Sequence, residues 1–181
     1  QRRRHDSAMR KVVLCDEAGQ PTGTMEIFAA HENGGHLHRA FSAFVFRNDM
    51  SQLMIQQRSP QKPVFPNLWA NTCCSHPYPG EDIVAAGERR LTEELGFTVP
   101  LRAAEAFVYR ADDPATGRTE HEYDTVLVGH LLKDVPIVPN PDEVAAYKWN
   151  DVEAIERELH KHAKQFGPWV AKALAIALAG K

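Results

Sequence analysis

Residues 81–97 read EDIVAAGERRLTEELGF and carry the strongest local pattern in the chain. Small or apolar residues recur at helical spacing and define one face of a helix, namely Val84, Gly87, Leu91 and Leu95. Gly96 follows the last of them, at a position where helices commonly end. The pattern therefore predicts a helix over Asp82–Leu95 that packs by this one face and exposes charged residues on the others.

The segments around this helix show both strand-like and helical patterns. Seven stretches, several rich in β-branched or aromatic residues, predict strands: Lys11–Cys15, Ala40–Phe46, Gln52–Gln57, Leu68–Thr72, Ala103–Arg110, His121–Leu131 and Val144–Trp149. Two further helices are predicted over Val152–His162 and Trp169–Ala179. Strands on both sides of the first helix, with helices at the end, indicate an α+β fold in which helices pack on a mixed sheet.

The length, composition and net charge of the chain indicate one domain that binds a small molecule. With 181 residues, of which 43% are hydrophobic, the chain is long enough for one core and short for two. Its formal net charge of -3 provides no overall basic field that would collect nucleic acid or an anionic membrane. We expect a single domain over residues 9–181 that binds a small molecule, with no nucleic-acid or membrane partner. The sequence leaves the oligomeric state open.

The first eight residues, QRRRHDSA, are excluded from the predicted domain. We interpret residues 1–8 as a disordered tail or a cloning remnant, because they are too short for an amphipathic targeting helix. No apolar run approaches the roughly 20 residues of a membrane-spanning helix. The three cysteines are odd in number and two are adjacent, which fits a reducing compartment. We therefore expect a cytoplasmic protein.

Residues with the chemistry of metal ligands occur at several separate places. They are His31, His38, His76 and the pair Glu120 and Glu122. Alternate residues of a strand project to one side, so the two carboxylates can reach one ion together. Such a set of nitrogen and oxygen ligands suits Mn²⁺ or Zn²⁺ and is too rich in nitrogen for a dedicated Mg²⁺ site. Taken singly, each histidine is more simply an ordinary hydrogen-bonding residue.

Residues 75–97 resemble the Nudix motif, in which a loop and helix present carboxylates to a divalent metal on a diphosphate. The matching positions are Glu81, Arg89, Leu91, Glu93, Glu94, Gly96 and Phe97. Two positions depart from the motif. Ser75 stands in place of its first Gly, and Arg90 stands in place of a metal-binding Glu. A cation at that position should impair a hydrolytic metal cluster, and it suits the binding of phosphate oxygens instead.

A more specific resemblance joins this motif to the segment before it. Cys74-Ser75-His76-Pro77 is similar to the Cys-(Gly/Ser)-His-Pro segment of type 1 isopentenyl-diphosphate isomerases, in which serine is an accepted variant. The histidines and the Glu-x-Glu pair also match that family, and the likeness extends over most of residues 11–170. The resemblance implies a Nudix-like α/β/α sandwich. It also implies that the protein interconverts isopentenyl and dimethylallyl diphosphate.

The resemblance also implies roles for individual residues. Cys74 and Glu122, the latter assisted by Tyr109, would exchange protons with opposite faces of the substrate, and Trp169 would face the carbocation. One Mn²⁺ or Zn²⁺ ion would be held by His31, His38, His76, Glu120 and Glu122. Arg58, Lys62 and Arg90 would neutralise the diphosphate. Glu94 and the backbone carbonyl of Cys74 would help to hold the Mg²⁺ ion that accompanies the substrate.

Several alternatives remain open at the level of the sequence. Trp169 could be an ordinary core aromatic, and Cys73 and Cys74 could both be packing residues, although neighbours on an extended segment point to opposite sides. Ile27 stands where some members of the family have a further Lys. The protein could instead be a Nudix hydrolase, which Arg90 disfavours, or a binding module without catalysis, which would not need a reactive thiol.

Overall fold

The nine strands found within residues 10–180, the part of the chain that the computed structural model describes, form one mixed sheet. The strands are β1 Lys11–Cys15, β2 Pro21–Glu26, β3 His38–Arg47, β4 Gln52–Arg58, β5 Trp69–Ala70, β6 Cys73–Ser75, β7 Leu101–Asp112, β8 Thr119–His130 and β9 Val144–Asp151. The helices are α1 Ile27–Ala30, α2 Ile83–Leu95, α3 Val152–Lys161 and α4 Val170–Ala179, with a 3-10 turn at Ala163–Gln165. The tail predicted at residues 1–8 lies outside the described residues.

The helices pack on both faces of the sheet, which confirms the predicted sandwich. Alternate residues of β3 and their neighbours separate into two buried clusters. Phe41 and Val45 belong to the cluster beneath α2, while Phe44 and Phe46 belong to the cluster beneath α3 and α4. No helix among residues 10–180 is both long enough and apolar enough to cross a membrane.

Helix α2 forms over almost the range that its sequence pattern predicts. Asp82 caps its start by accepting a hydrogen bond from the Ala85 N–H. Gly96 ends it in the left-handed conformation, with φ of 72°. Gly87 is required by close packing, because a β-carbon there would lie 2.5 Å from the Leu127 side chain. This contact holds the helix tightly against β8.

The predicted strand Leu68–Thr72 is wrong in its extent, because β5 and β6 are separate strands on either side of Asn71 and Thr72. The side chains of these two buried residues donate hydrogen bonds to backbone carbonyls at this break. Asn71 donates to the carbonyls of Ala43 and Cys73, and the Thr72 hydroxyl donates to the Met54 carbonyl. Strand β2 and the short α1 were not predicted, since residues 21–26 are largely exposed and lack an apolar face.

Strand β3 organises the part of the sheet that bears the candidate site. It pairs in parallel with β8, so that His38 lies beside Glu122. It also pairs antiparallel with β6, where Ser42 faces Cys74. On the far side of β8, Tyr109 of β7 pairs with Glu122. These registers collect residues from four distant parts of the chain.

Candidate active site

One cavity lies over this part of the sheet, between β3, β6, β7, β8 and the start of α4. Its walls include nine of the residues singled out from the sequence: His31, Arg58, Lys62, Cys74, His76, Tyr109, Glu120, Glu122 and Trp169. His38 lies just behind the wall as a fully buried side chain. Arg90 and Glu94 are absent from the wall, although they are close to its cationic side.

Three imidazoles and one carboxylate converge at the inner end of this cavity. The ligand atoms of His31, His38, His76 and Glu122 all lie within 4.8 Å of one another. Glu122 Oε1 is 3.9 Å from His38 Nε2 and 3.8 Å from His76 Nε2. Ligands at about 2.1 Å from one ion are at most about 4.2 Å apart, so small side-chain shifts would complete a metal site.

The histidines are oriented and kept neutral in the way that metal ligands require. The Nδ1 atoms of His31 and His38 donate to the Ile27 and His36 carbonyls at 2.7 Å each, which leaves Nε2 as the free lone pair. Burial lowers the pKa of both, and that of His38 falls to about 3. His38 Nε2 and both ring nitrogens of His76 are buried without a hydrogen-bond partner in residues 10–180. These orphaned nitrogens fit a divalent cation.

The two carboxylates predicted on β8 have different surroundings. Burial, together with the charges of Glu120 and Asp124, raises the pKa of Glu122 well above its usual range, and a bound cation would counter this effect. Glu120 lies outside the group of four converging ligands within the described chain. It accepts a hydrogen bond from the Tyr109 hydroxyl instead. Tyr109 thus interacts with both carboxylates, because its hydroxyl also hydrogen-bonds to Glu122, the residue that it was predicted to assist.

The adjacent cysteines face opposite sides of β6, as their extended conformation requires. Cys73 is fully buried under α2 and donates to Glu94 Oε2 at 3.2 Å. Cys74 lines the cavity, and its Sγ donates to Asn71 Oδ1 at 3.1 Å. Burial raises the pKa of the Cys74 thiol to about 12, so it is protonated at neutral pH. Only Cys74 is placed to meet a ligand in the cavity.

Trp169 forms an aromatic part of the cavity wall, at the residue that precedes α4. Its ring lies 6.2 Å from the ring of Tyr109 and 5.3 Å from the Arg58 guanidinium. Its Nε1–H donates to Asn71 Oδ1 at 2.9 Å, the same oxygen that accepts from Cys74. Asn71 thus links the predicted thiol and indole. Sequence reasoning gave Asn71 no role, because its spacing carries no signal of these contacts.

Asp124 is a second residue that the sequence analysis missed. It is buried in the cavity wall, where its Oδ2 accepts from the Ser42 hydroxyl at 2.7 Å. Its Oδ1 has no hydrogen-bond partner among residues 10–180, and burial raises its pKa to about 7. The strand period could have found it, because Glu120, Glu122 and Asp124 alternate along β8 and share one face.

The predicted diphosphate-binding residues fall into two groups. Arg58 donates to the carbonyls of Val64 and Phe65 and forms no ion pair within the described residues, so its charge is left for a ligand. Lys62 pairs with Glu143 at 2.6 Å.

Arg90 is held among carboxylates. It contacts Glu93 at 2.7 Å, Glu94 at 2.9 Å and Glu143 at 3.5 Å. Burial by itself would lower its pKa, but Glu94 and Glu143 raise it. The Oε2 atom of Glu94 already accepts from Arg90 and from the Cys73 thiol. A Mg²⁺ ion at Glu94 would therefore have to share this carboxylate with a cation.

Comparison with known proteins agrees with the fold and the helix motif. Residues 36–171 match the NUDIX domain family. A solved protein from Deinococcus radiodurans superposes with a TM-score of 0.70 at 19% identity, covering 92% of this chain and 99% of its own. The MutT protein of Methanosarcina mazei superposes with a TM-score of 0.58 at 16% identity, covering 74% of this chain and 86% of its own. These matches define a protein with the Nudix fold.

Relatives of higher sequence identity identify the family within this fold. An isopentenyl-diphosphate Delta-isomerase from Nocardia farcinica is 45% identical over 92% of this chain and 93% of its own length. One from Halorhodospira halophila is 43% identical over 89% of this chain and 91% of its own length. The chain belongs to the isopentenyl-diphosphate Delta-isomerase family.

Proposed function

We propose that the protein interconverts isopentenyl diphosphate and dimethylallyl diphosphate. The observation that carries this proposal is the presence of a thiol, Cys74, and a carboxyl group, Glu122, in the wall of one cavity beside an indole ring. The relatives' name, isopentenyl-diphosphate Delta-isomerase, supports the same activity. An unactivated alkene is a weak base, so the reaction needs a positioned acid and a site that excludes water.

The reaction moves one proton onto the substrate and another off it. A proton bonds to C4 of the alkene, the π electrons leave a tertiary cation at C3, and loss of a proton from C2 forms the new double bond. Cys74 and Glu122 act from opposite faces, one as the donor and the other as the acceptor. Exchange with solvent restores both groups, so no oxidant or co-reactant is consumed.

Trp169 stabilises the intermediate cation in this proposal. An aromatic face near a positive charge contributes roughly 2 kcal/mol or more when water is excluded. The side chain is only 2% exposed and borders the cavity. Asn71 holds the indole and the Cys74 thiol by one oxygen, which supports a role for it in fixing their relative positions.

We further propose that His31, His38, His76 and Glu122, with Glu120 as a further ligand, hold one Mn²⁺ or Zn²⁺ ion. Three imidazoles favour such an ion over Mg²⁺. When bound, the metal would anchor the Glu122 carboxylate and alter its acidity. Burial and hydrogen bonds through Nδ1 already orient His31 and His38 for this role.

The diphosphate belongs at the cationic side of the cavity, near Arg58 and Lys62. A Mg²⁺ ion would arrive with it, near Glu94 and the carbonyl of Cys74. Arg90 adds positive charge behind this wall. A cytoplasmic location is part of the proposal, supported by the three free cysteines.

The test is incubation of purified protein with isopentenyl diphosphate and Mg²⁺ in D₂O, followed by NMR. We expect deuterium in dimethylallyl diphosphate and no accumulation of free phosphate. Phosphate release without an allylic product would refute the isomerase and favour the hydrolase. Binding of the diphosphate with no product of either kind would favour the non-catalytic binding module.

A further inference from the structure

We propose that Arg10, which immediately precedes β1, binds the diphosphate group of the substrate as an additional cation in the cavity wall. This inference rests on the proposed function, since that function supplies the diphosphate. The side chain of Arg10 lines the same cavity as Arg58 and Lys62. The sequence pattern did not single it out.

Arg10 forms no ion pair among residues 10–180, and Glu143 acts on its charge only at longer range. The guanidinium also lies over the Tyr78 ring, 5.7 Å from its centroid. Its Nη2 donates to Ser75 Oγ at 2.8 Å and to the His76 carbonyl at 3.4 Å, both of which are neutral. Its Nε is buried and has no hydrogen-bond partner in the same part of the chain. A cation in these surroundings is costly, and a bound anion would offset that cost.

The other cations near the cavity differ from one another in whether a carboxylate neutralises them. Lys62 is neutralised by Glu143, and Arg90 by three carboxylates. Arg58 resembles Arg10, because its hydrogen bonds go to backbone carbonyls. In the described chain, Arg10 and Arg58 are therefore the cavity-lining cations that keep their charge available for a ligand.

Arg10 contacts two residues that stood out in the sequence, namely Ser75 and Ile27. Ser75 replaces the Gly of the Nudix motif, and its hydroxyl is the acceptor that anchors the guanidinium. By the resemblance to the isomerase family, Ile27 stands where some members have a further Lys. Its N–H donates to the Arg10 carbonyl at 2.9 Å, and its side chain lines the same cavity. Residues 10 and 27 thus line the cavity from hydrogen-bonded backbone positions, so a cation at either residue would enter the same part of the cavity.

The experiment compares Arg10→Ala with Lys11→Ala, an equal change of charge at an exposed neighbour. The measurements are steady-state kinetics with isopentenyl diphosphate and calorimetric titration with inorganic pyrophosphate and Mg²⁺. For Arg10→Ala we expect KM and the pyrophosphate Kd to rise about tenfold, as for loss of a charged hydrogen bond. We expect kcat to change less than about twofold, because the contact is distant from the reacting carbons. Lys11→Ala should match the wild type.

A rescue variant separates binding from a purely structural role. Ile27→Lys in the Arg10→Ala background should return KM and Kd to within about threefold of the wild type, since it restores a cation without restoring the bond to Ser75. Unchanged values in Arg10→Ala would overturn the proposal. A tenfold loss that neither Arg10→Lys nor Ile27→Lys restores would also overturn it.

The pyrophosphate titration distinguishes this proposal from the proposed function, because it requires no turnover. A wild type that fails to isomerise but loses pyrophosphate affinity on Arg10→Ala would refute the activity and retain the role of Arg10. An active wild type with unchanged affinity in Arg10→Ala would refute only the role of Arg10.

Discussion

Replacing each of the two adjacent cysteines by alanine should have opposite consequences. We predict that Cys74→Ala lowers kcat by at least about a hundredfold, the lower end of what a positioned acid or base contributes. This corresponds to about 2.7 kcal/mol in the activation free energy. Cys73→Ala should leave kcat within about threefold of the wild type, because its thiol lies beneath α2 and outside the cavity wall.

The stability of the two variants follows from their contacts. Cys73 is fully buried, and its thiol donates to Glu94 Oε2. That oxygen still accepts two hydrogen bonds from Arg90, so removal of the sulfur leaves no unpaired carboxylate. The remaining cost is one packed sulfur, about 1 kcal/mol, which lowers Tm by about 2 to 4 °C. For Cys74→Ala the loss is smaller, since Asn71 Oδ1 keeps its bond from Trp169.

Three measurements check this pair of substitutions. Steady-state kinetics give kcat, calorimetry with inorganic pyrophosphate shows whether the diphosphate still binds, and thermal unfolding gives the change in stability. We expect Cys74→Ala to retain pyrophosphate binding, because the cations of the cavity are untouched. An inactive Cys73→Ala protein, or near-normal turnover in Cys74→Ala, would refute the placement of the catalytic thiol.

Three further predictions concern the metal, the aromatic wall and an ion pair. His38→Ala should lower the bound transition metal measured by mass spectrometry while His121→Ala does not, and equal metal contents would contradict the proposed centre. Trp169→Phe should keep most of kcat, whereas Trp169→Leu should lose about thirtyfold through loss of the aromatic face; equal losses in steady-state assays would argue against cation stabilisation. Lys62, more than any other charge, lowers the pKa of Glu143 to about 2 against the opposing effect of burial. Glu143→Gln should therefore reduce the free energy of unfolding by about 1 to 3 kcal/mol at pH 7. Because the pKa of Glu143 is depressed in the folded protein, the stability difference between Glu143→Gln and the wild type should shrink as pH falls from about 4.5 towards 2. Denaturant titrations across this pH range measure that difference. A difference that does not change with pH would contradict the assignment.

The parts of the fold that could be predicted from the sequence are those that local spacing determines. The apolar face of α2 and its end at Gly96 depend on neighbours within one or two helical turns, and both are confirmed. The break between β5 and β6 could not be predicted, because Asn71 and Thr72 bond to backbone groups of other strands. Their residue types do not reveal such partners.

The sequence by itself determined the family and the residue types of the site, since these are carried by short motifs. It also indicated that Cys73 and Cys74 face opposite sides, a consequence of extended backbone geometry. Only the tertiary structure decided which charges remain unpaired. The parallel register of β3 and β8 brings His38 to Glu122, and folding places Arg10 beside neutral partners while Arg90 is surrounded by carboxylates. Electrostatic pairing depends on distances of a few ångströms between residues far apart in the chain, and no local pattern encodes those distances.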